Sequence, residues 1–144
     1  MGYNPQKIIE FFKQFRINRF NFENEAELEA ILVPSLKKLL KEDKVRVKVQ
    51  SKSVQERTLI PDITIGKNQI LLEIKYLRKN INDIYRMYYQ AIKYSKMAKD
   101  FLIFFVYDPN GLLTYPDKED LERSDKIIVI HKRWGFNGLL VCFC

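Results

Sequence analysis

Asp62, preceded by Pro61, stands eleven residues before Glu73, and Glu73 is followed by Ile74 and Lys75. Alternation along a strand puts Glu73 and Lys75 on one face, and a hairpin between the two segments can set Asp62 opposite them. Two carboxylates and an ammonium then converge. Carboxylate oxygens suit a hard divalent cation such as Mg2+, with Mn2+ as a substitute, and the backbone carbonyl of Ile74 offers a further ligand. A lysine beside such a cation can orient or activate a water for attack on a phosphodiester. The spacing points to metal-assisted hydrolysis, with Asp62 and Glu73 as ligands and Lys75 at the water.

Two strands joined by a tight turn must carry these residues. Leu59–Ile65 and Gln69–Tyr76 have strand composition, and Gly66-Lys67-Asn68 between them is hairpin chemistry. Upstream, periodicity predicts a short amphipathic helix from Pro5 to about Phe15, carrying Ile8, Ile9, Phe12 and Phe15. A longer helix, capped by Asn21 or Asn24, runs to about Leu40, with Leu28, Leu32, Leu36, Leu39 and Leu40 as its stripe and Pro34 as a local bend. Val45–Gln50 alternates as a half-buried strand does. Downstream, Asn80 or Asn82 caps a helix to about Lys99, whose inward face is predicted as Ile84, Tyr88, Ala91, Ile92, Ser95 and Ala98. Phe101–Tyr107 is apolar throughout, which predicts a strand buried on both faces at the sheet centre. A short helix over Lys118–Arg123 and strands over Lys126–His131 and Gly138–Phe143 complete the order. These elements make an α/β domain, a central mixed β-sheet flanked by helices. Residues 1–20 form a basic N-terminal helix region, 21–107 a catalytic core and 108–144 the C-terminal strands.

Charge suggests what the domain meets. The chain has 25 Lys and Arg against 18 Asp and Glu, a net charge of +7, and from Lys75 to Lys99 seven basic residues face one acid, Asp83. Arg78, Lys79, Arg86, Lys93 and Lys96 are candidates to position a DNA backbone; a solvated helix face is the bland alternative. Gln90 and Tyr94, one turn apart, can both face the catalytic edge and touch a phosphate, a base or Lys75. Composition excludes disordered and fibrous classes. No apolar run approaches the about 20 residues that span a bilayer, and the N-terminus lacks a secretory h-region, so no membrane association and a cytoplasmic location are expected. Cys142 and Cys144, two apart on a strand, predict unbridged thiols in a reducing compartment. With no phosphate-cradling glycine loop or nucleophile elbow, no small-molecule cofactor is expected. His131 reads as a strand-end surface histidine without a nearby acid.

The set Asp62, Glu73 and Lys75, on consecutive predicted strands behind a helix, resembles the PD-(D/E)xK nuclease superfamily. Gln90-Ala-Ile-Lys-Tyr94 resembles the Q-x-x-x-Y element of several of its branches, and the likeness covers roughly residues 24–107. What the resemblance implies is a restriction endonuclease-like core and a Mg2+-dependent, restriction- or resolvase-like endonuclease acting on DNA. It also implies Asp62 and Glu73 on the metal and Lys75 at the water. The superfamily often adds a glutamate from the first core helix. At about 100° per residue Glu25 continues the leucine stripe and Glu29 lies at its edge, so Glu25 is the first choice and Glu29 the second. Asn24-Glu25-Ala26 and Pro34-Ser35-Leu36 are similar to elements of the nuclease domain of type I restriction motor subunits, and the length is similar to that of archaeal Holliday junction resolvases. The alternative is a nucleic-acid-binding protein that keeps this fold without cleaving. Cutting both strands of a duplex needs two centres, which predicts a homodimer, first through the helix around Ile8, Phe12 and Phe15, and second through Leu139–Phe143.

Overall fold

In the computed structural model, which describes residues 5–16, 24–40, 45–47, 61–78, 80–134 and 140–142, the elements follow the expected order. They are α1 (Pro5–Gln14), α2 (Glu25–Leu40), β1 (Val45–Val47), β2 (Ile63–Ile65), β3 (Ile70–Tyr76), α3 (Asn82–Met97), β4 (Phe101–Tyr107), α4 (Tyr115–Leu121), β5 (Ile127–Trp134) and β6 (Leu140–Cys142). The strands form one sheet in sequence order, β1-β2-β3-β4-β5-β6. The pairs β3/β4 and β4/β5 are parallel and the other three antiparallel, so the sheet is mixed. Residues 48–50, 59–60, 138–139 and 143 of the expected strands, Asn21 and Lys79 lie outside the described residues.

Alternation along each strand sorts the sheet into two faces, and each face receives a pair of helices. Ile63, Ile65, Ile70, Leu72, Ile74, Ile103, Phe105 and Ile130 pack with Ile8 and Phe12 of α1 and the α2 residues Leu28, Leu32, Leu36 and Leu40. Leu71, Leu102, Phe104, Val106 and Val129 pack on the other side with α3 and with Leu121 of α4. The result is a helix–sheet–helix sandwich in which β4 is buried along nearly its whole length, as its unbroken apolar run requires.

Local chemistry sets the boundaries. Asn24 Oδ1 accepts from the Glu27 N–H at 2.9 Å and so caps α2. Asn80 Oδ1 accepts from the Asn82 N–H at 2.9 Å, at the entry to α3. Thr114 and Asp117 form a reciprocal capping box on α4. Between β2 and β3, Gly66 and Asn68 take φ of 67° and 59°, the left-handed conformation that these two residue types tolerate best.

Four expectations require correction. Leu39 is exposed, because residues spaced by four (Leu28, Leu32, Leu36, Leu40) already fill the contact with the sheet. The buried face of α3 is Ile84, Met87, Gln90, Ala91 and Tyr94, turned by about 60° from the expected face, which leaves Ile92 exposed. The stripe of α1 is not a dimer surface: Ile8 and Phe12 are fully buried in the chain's own core, and the rings of Phe12 and Phe15 lie 5.3 and 6.0 Å from Phe105. Lys132 on β5 donates to the carbonyl of Lys13 in the last turn of α1, tying that helix down, and burial lowers the lysine's pKa to about 8. Finally, Cys142 is in a disulfide, not a thiol as strand spacing suggested; the other cysteine, Cys144, lies outside the described residues.

Candidate active site

The site begins where β2 leaves β3. Their register pairs Ile63 with Leu72, and its continuation sets Asp62 opposite Glu73. Beyond that point β3 has no β2-side strand partner among the described residues, and two of its N–H groups are met by side-chain carboxylates. Asp62 Oδ2 accepts from the Ile74 N–H at 2.8 Å, and Glu25 Oε1, from the first turn of α2, accepts from the Tyr76 N–H at 3.3 Å. Glu73 Oε1 accepts from the Asp62 N–H at 3.1 Å, while its Oε2 lies 3.3 Å from the Lys75 ammonium. Three carboxylates and one cation are thus fixed to two strand ends and one helix start, and Glu25 is the helix acid that reaches β3.

Their electrostatics are those of a crowded acidic site. Glu73 and Lys75 are 3% and 5% exposed. Desolvation, and then the charge of Asp62, raise the Glu73 pKa to about 7, against the opposing pull of Lys75. Glu25 remains exposed as a residue, yet desolvation of its carboxyl raises its pKa, with Lys75 and the Tyr76 N–H pulling the other way. Asp62 and Asp83 add to that rise. Asp83, in the first turn of α3, is an acid near the site that the sequence placed only as the exception in a basic run. Its signal was its position, in the first turn of the helix that follows β3.

The turn of α3 about its axis decides what covers the carboxylates. Glu73 and Lys75 share the face of Leu71, which α3 covers, and Gln90 and Tyr94 are both buried there. Tyr94 has a raised pKa, first from burial and then from the charges of Glu73 and Asp62, with Arg86 opposing them. Among the described residues Gln90 Oε1 is buried with no hydrogen-bond partner. A buried amide oxygen is ordinarily met by a protein or water donor. The remaining basic candidates sit outside this layer. Arg86, Lys93 and Lys96 are exposed, Arg78 is exposed with its guanidinium 5.3 Å from the Tyr76 ring centre, and Lys79 is outside the described residues.

His131 is not a surface histidine. It is 4% exposed, and its Nε2 lies 2.8 Å from Oδ2 of the fully buried Asp108. The parallel register of β4 and β5 sets Val106 beside His131, which brings Asp108, just past the end of β4, within reach. Asp108 also accepts from the N–H groups of Leu112 and Leu113 at 2.8 and 2.9 Å, holding the loop that leads to α4.

Among the described residues no three His, Cys, Asp or Glu side chains are grouped to hold a metal ion by themselves. The donor set still fits one hard cation of the Mg2+ kind, which is characteristically held by one or two carboxylates with water and substrate phosphate. Asp62 and Glu73 are such a pair, facing each other where β2 and β3 part. No helix among the described residues is long and apolar enough to cross a membrane. Comparison with protein-family profiles, curated proteins and solved structures finds no match.

Proposed function

We propose that the protein is a Mg2+-dependent nuclease of restriction endonuclease-like core that hydrolyses DNA phosphodiester bonds. The observation that carries this reading is the junction of β2 and β3. There Asp62 faces Glu73 across the parting strands, with Lys75 3.3 Å from Glu73 and the Glu25 carboxyl on the adjoining edge. Asp62 and Glu73 would hold the ion, joined by the Ile74 carbonyl. When bound, Mg2+ supplies Lewis-acid stabilisation of the phosphoryl oxygens and a more acidic water. The Lys75 ammonium, anchored on Glu73, orients that water toward phosphorus and offsets the charge that grows on the phosphoryl group. Glu25 completes the acidic rim and takes up the water's proton. Arg86 and Lys93 on the outer flank of α3 hold the strand by its phosphates. The net reaction adds water across one P–O bond, leaving a phosphate on one end and a hydroxyl on the other.

Plasmid, single-stranded and branched DNA incubated with Mg2+, Mn2+ or EDTA test this directly. Cleavage is expected with either metal and none in EDTA. Asp62→Ala or Glu73→Ala should lower the rate at least about a hundredfold while circular dichroism stays that of the wild type. Metal-independent cutting, or variants as active as wild type, would remove the assignment. Binding without cleavage under every condition would favour the non-cleaving reading of the same fold.

A further inference from the structure

The turn of α3 that buries Gln90 and Tyr94 forces other large side chains outward. Tyr85, Tyr89 and Ile92 are 61%, 52% and 58% exposed along one flank of the helix. Tyr85 and Tyr89 are one turn apart, about 6 Å along the axis, a spacing over which successive unpaired bases can lie on successive rings. The flank is also strongly basic. Arg86, Lys93 and Lys96 are exposed on it, and Asp83 is the helix's one acidic residue. Lys93 Nζ lies 5.7 Å from the Tyr89 ring centre, so the ring and the cation form one platform. Arg86 belongs to both regions: it is exposed, and its charge acts on Tyr94 beside Glu73.

We propose that Tyr85 and Tyr89, with Arg86, Lys93 and Lys96, form a base-stacking rail on α3 that takes a stretch of unpaired DNA and leads it toward the carboxylates. The proposal rests on the reading of that site as a DNA nuclease for the direction of travel, and deepens it by naming the substrate as single-stranded or splayed. Exposed rings add nothing to the binding of an intact duplex along this helix, because duplex bases turn their faces to one another. An isologous contact between two copies would bring this basic patch of Arg86, Lys93 and Lys96 against the same patch of the second copy, which like-charge repulsion opposes. Phosphates answer the cations and base faces answer the rings, and an unpaired strand offers both.

Fluorescence anisotropy in EDTA, where no metal-dependent cleavage intervenes, tests the rail. The probes are a 15-nucleotide thymidine strand, a 15-base-pair duplex and an abasic strand with the same number of phosphates. The thymidine strand is expected to bind at least about tenfold more tightly than either of the others. Tyr85→Ala and Tyr89→Ala should each weaken that binding about tenfold, with Tyr89→Phe close to wild type and circular dichroism unchanged in all three. Equal affinity for the abasic strand overturns the proposal, as does duplex binding as tight as the strand, no binding of any probe, or displacement by polyglutamate as effective as by thymidine strand. The two readings fail separately. Strand binding through Tyr89 without cleavage in any metal removes the nuclease and keeps the rail, whereas metal-dependent cutting of duplex without strand preference does the reverse.

Discussion

Glu73 is where burial, a neighbouring acid and a neighbouring base meet, so its titration should be visible in the stability of the whole protein. Its folded pKa, about 7, lies above the ordinary 4.5 because burial and Asp62 disfavour the charged form more than Lys75 favours it. A carboxyl with a raised folded pKa binds its proton more tightly in the native state. Its stabilising contribution is therefore complete below about pH 4.5 and is lost as pH rises through 7. In EDTA, chemical denaturation should show stability falling between pH 5 and pH 8 by at most about 3 kcal/mol from this group. Glu73→Gln should flatten the profile. Adding Mg2+ at pH 8 should restore the lost stability in the wild type and not in Asp62→Asn; a flat wild-type profile would remove the electrostatic account. Asp108 is the second residue with a clear cost attached. Asp108→Ala strips one buried partner from His131 and two from the loop amides, so a loss of about 3 kcal/mol is expected, with faster hydrogen exchange at Leu112 and Leu113. Unchanged exchange there would show that the loop is held by other contacts.

At the scale of elements, what was legible in the sequence is what neighbours along the chain decide. The order of helices and strands, the Gly66-Lys67-Asn68 turn, the apolar β4 and the facing of Asp62 and Glu73 all follow from periodicity, turn chemistry and a short hairpin. The angle of α3 about its own axis did not. Ile92 and Tyr88 look as apolar as Met87 and Tyr94 in sequence, and only the sheet underneath, with Glu73 and Lys75 needing cover, selects the face that buries Gln90. The partner of His131 was equally hidden, because Asp108 is 23 residues away and approaches only through the parallel register of β4 and β5. The same distance rule explains α1. The partner of its apolar stripe, Phe105, stands far along the chain, so periodicity alone does not show it. Phe12→Ala should therefore act as a core deletion, costing about 3–5 kcal/mol in denaturation without changing the oligomeric state seen by light scattering. A shift of oligomeric state with native stability would return α1 to an interface role.

Over the whole molecule the charge is +7, and it works together with the placement of α3 across the acidic site. On the proposed reading a DNA phosphate would have to approach the acidic set of Asp62, Glu73 and Glu25, and exposed cations nearby on the chain would offset that field. Arg78, Arg86, Lys93 and Lys96 are exposed, and their contribution can be counted by salt. Each phosphate neutralised on a single strand releases counterions worth a slope of roughly −0.7 in a plot of log affinity against log salt, so four contacts give about −3. Anisotropy titrations in EDTA between 50 and 200 mM salt, roughly the range in which such release dominates, should return that slope. Replacing Arg86 and Lys93 together by Ala should halve it to about −1.4. The acidic cluster adds a second expectation. Asp62→Asn removes a negative charge from beneath the strand, so its metal-free affinity should exceed the wild type's at low salt and converge with it as screening grows. A slope near zero, or one untouched by the double substitution, would place the DNA on another face and leave α3 as a solvated basic helix.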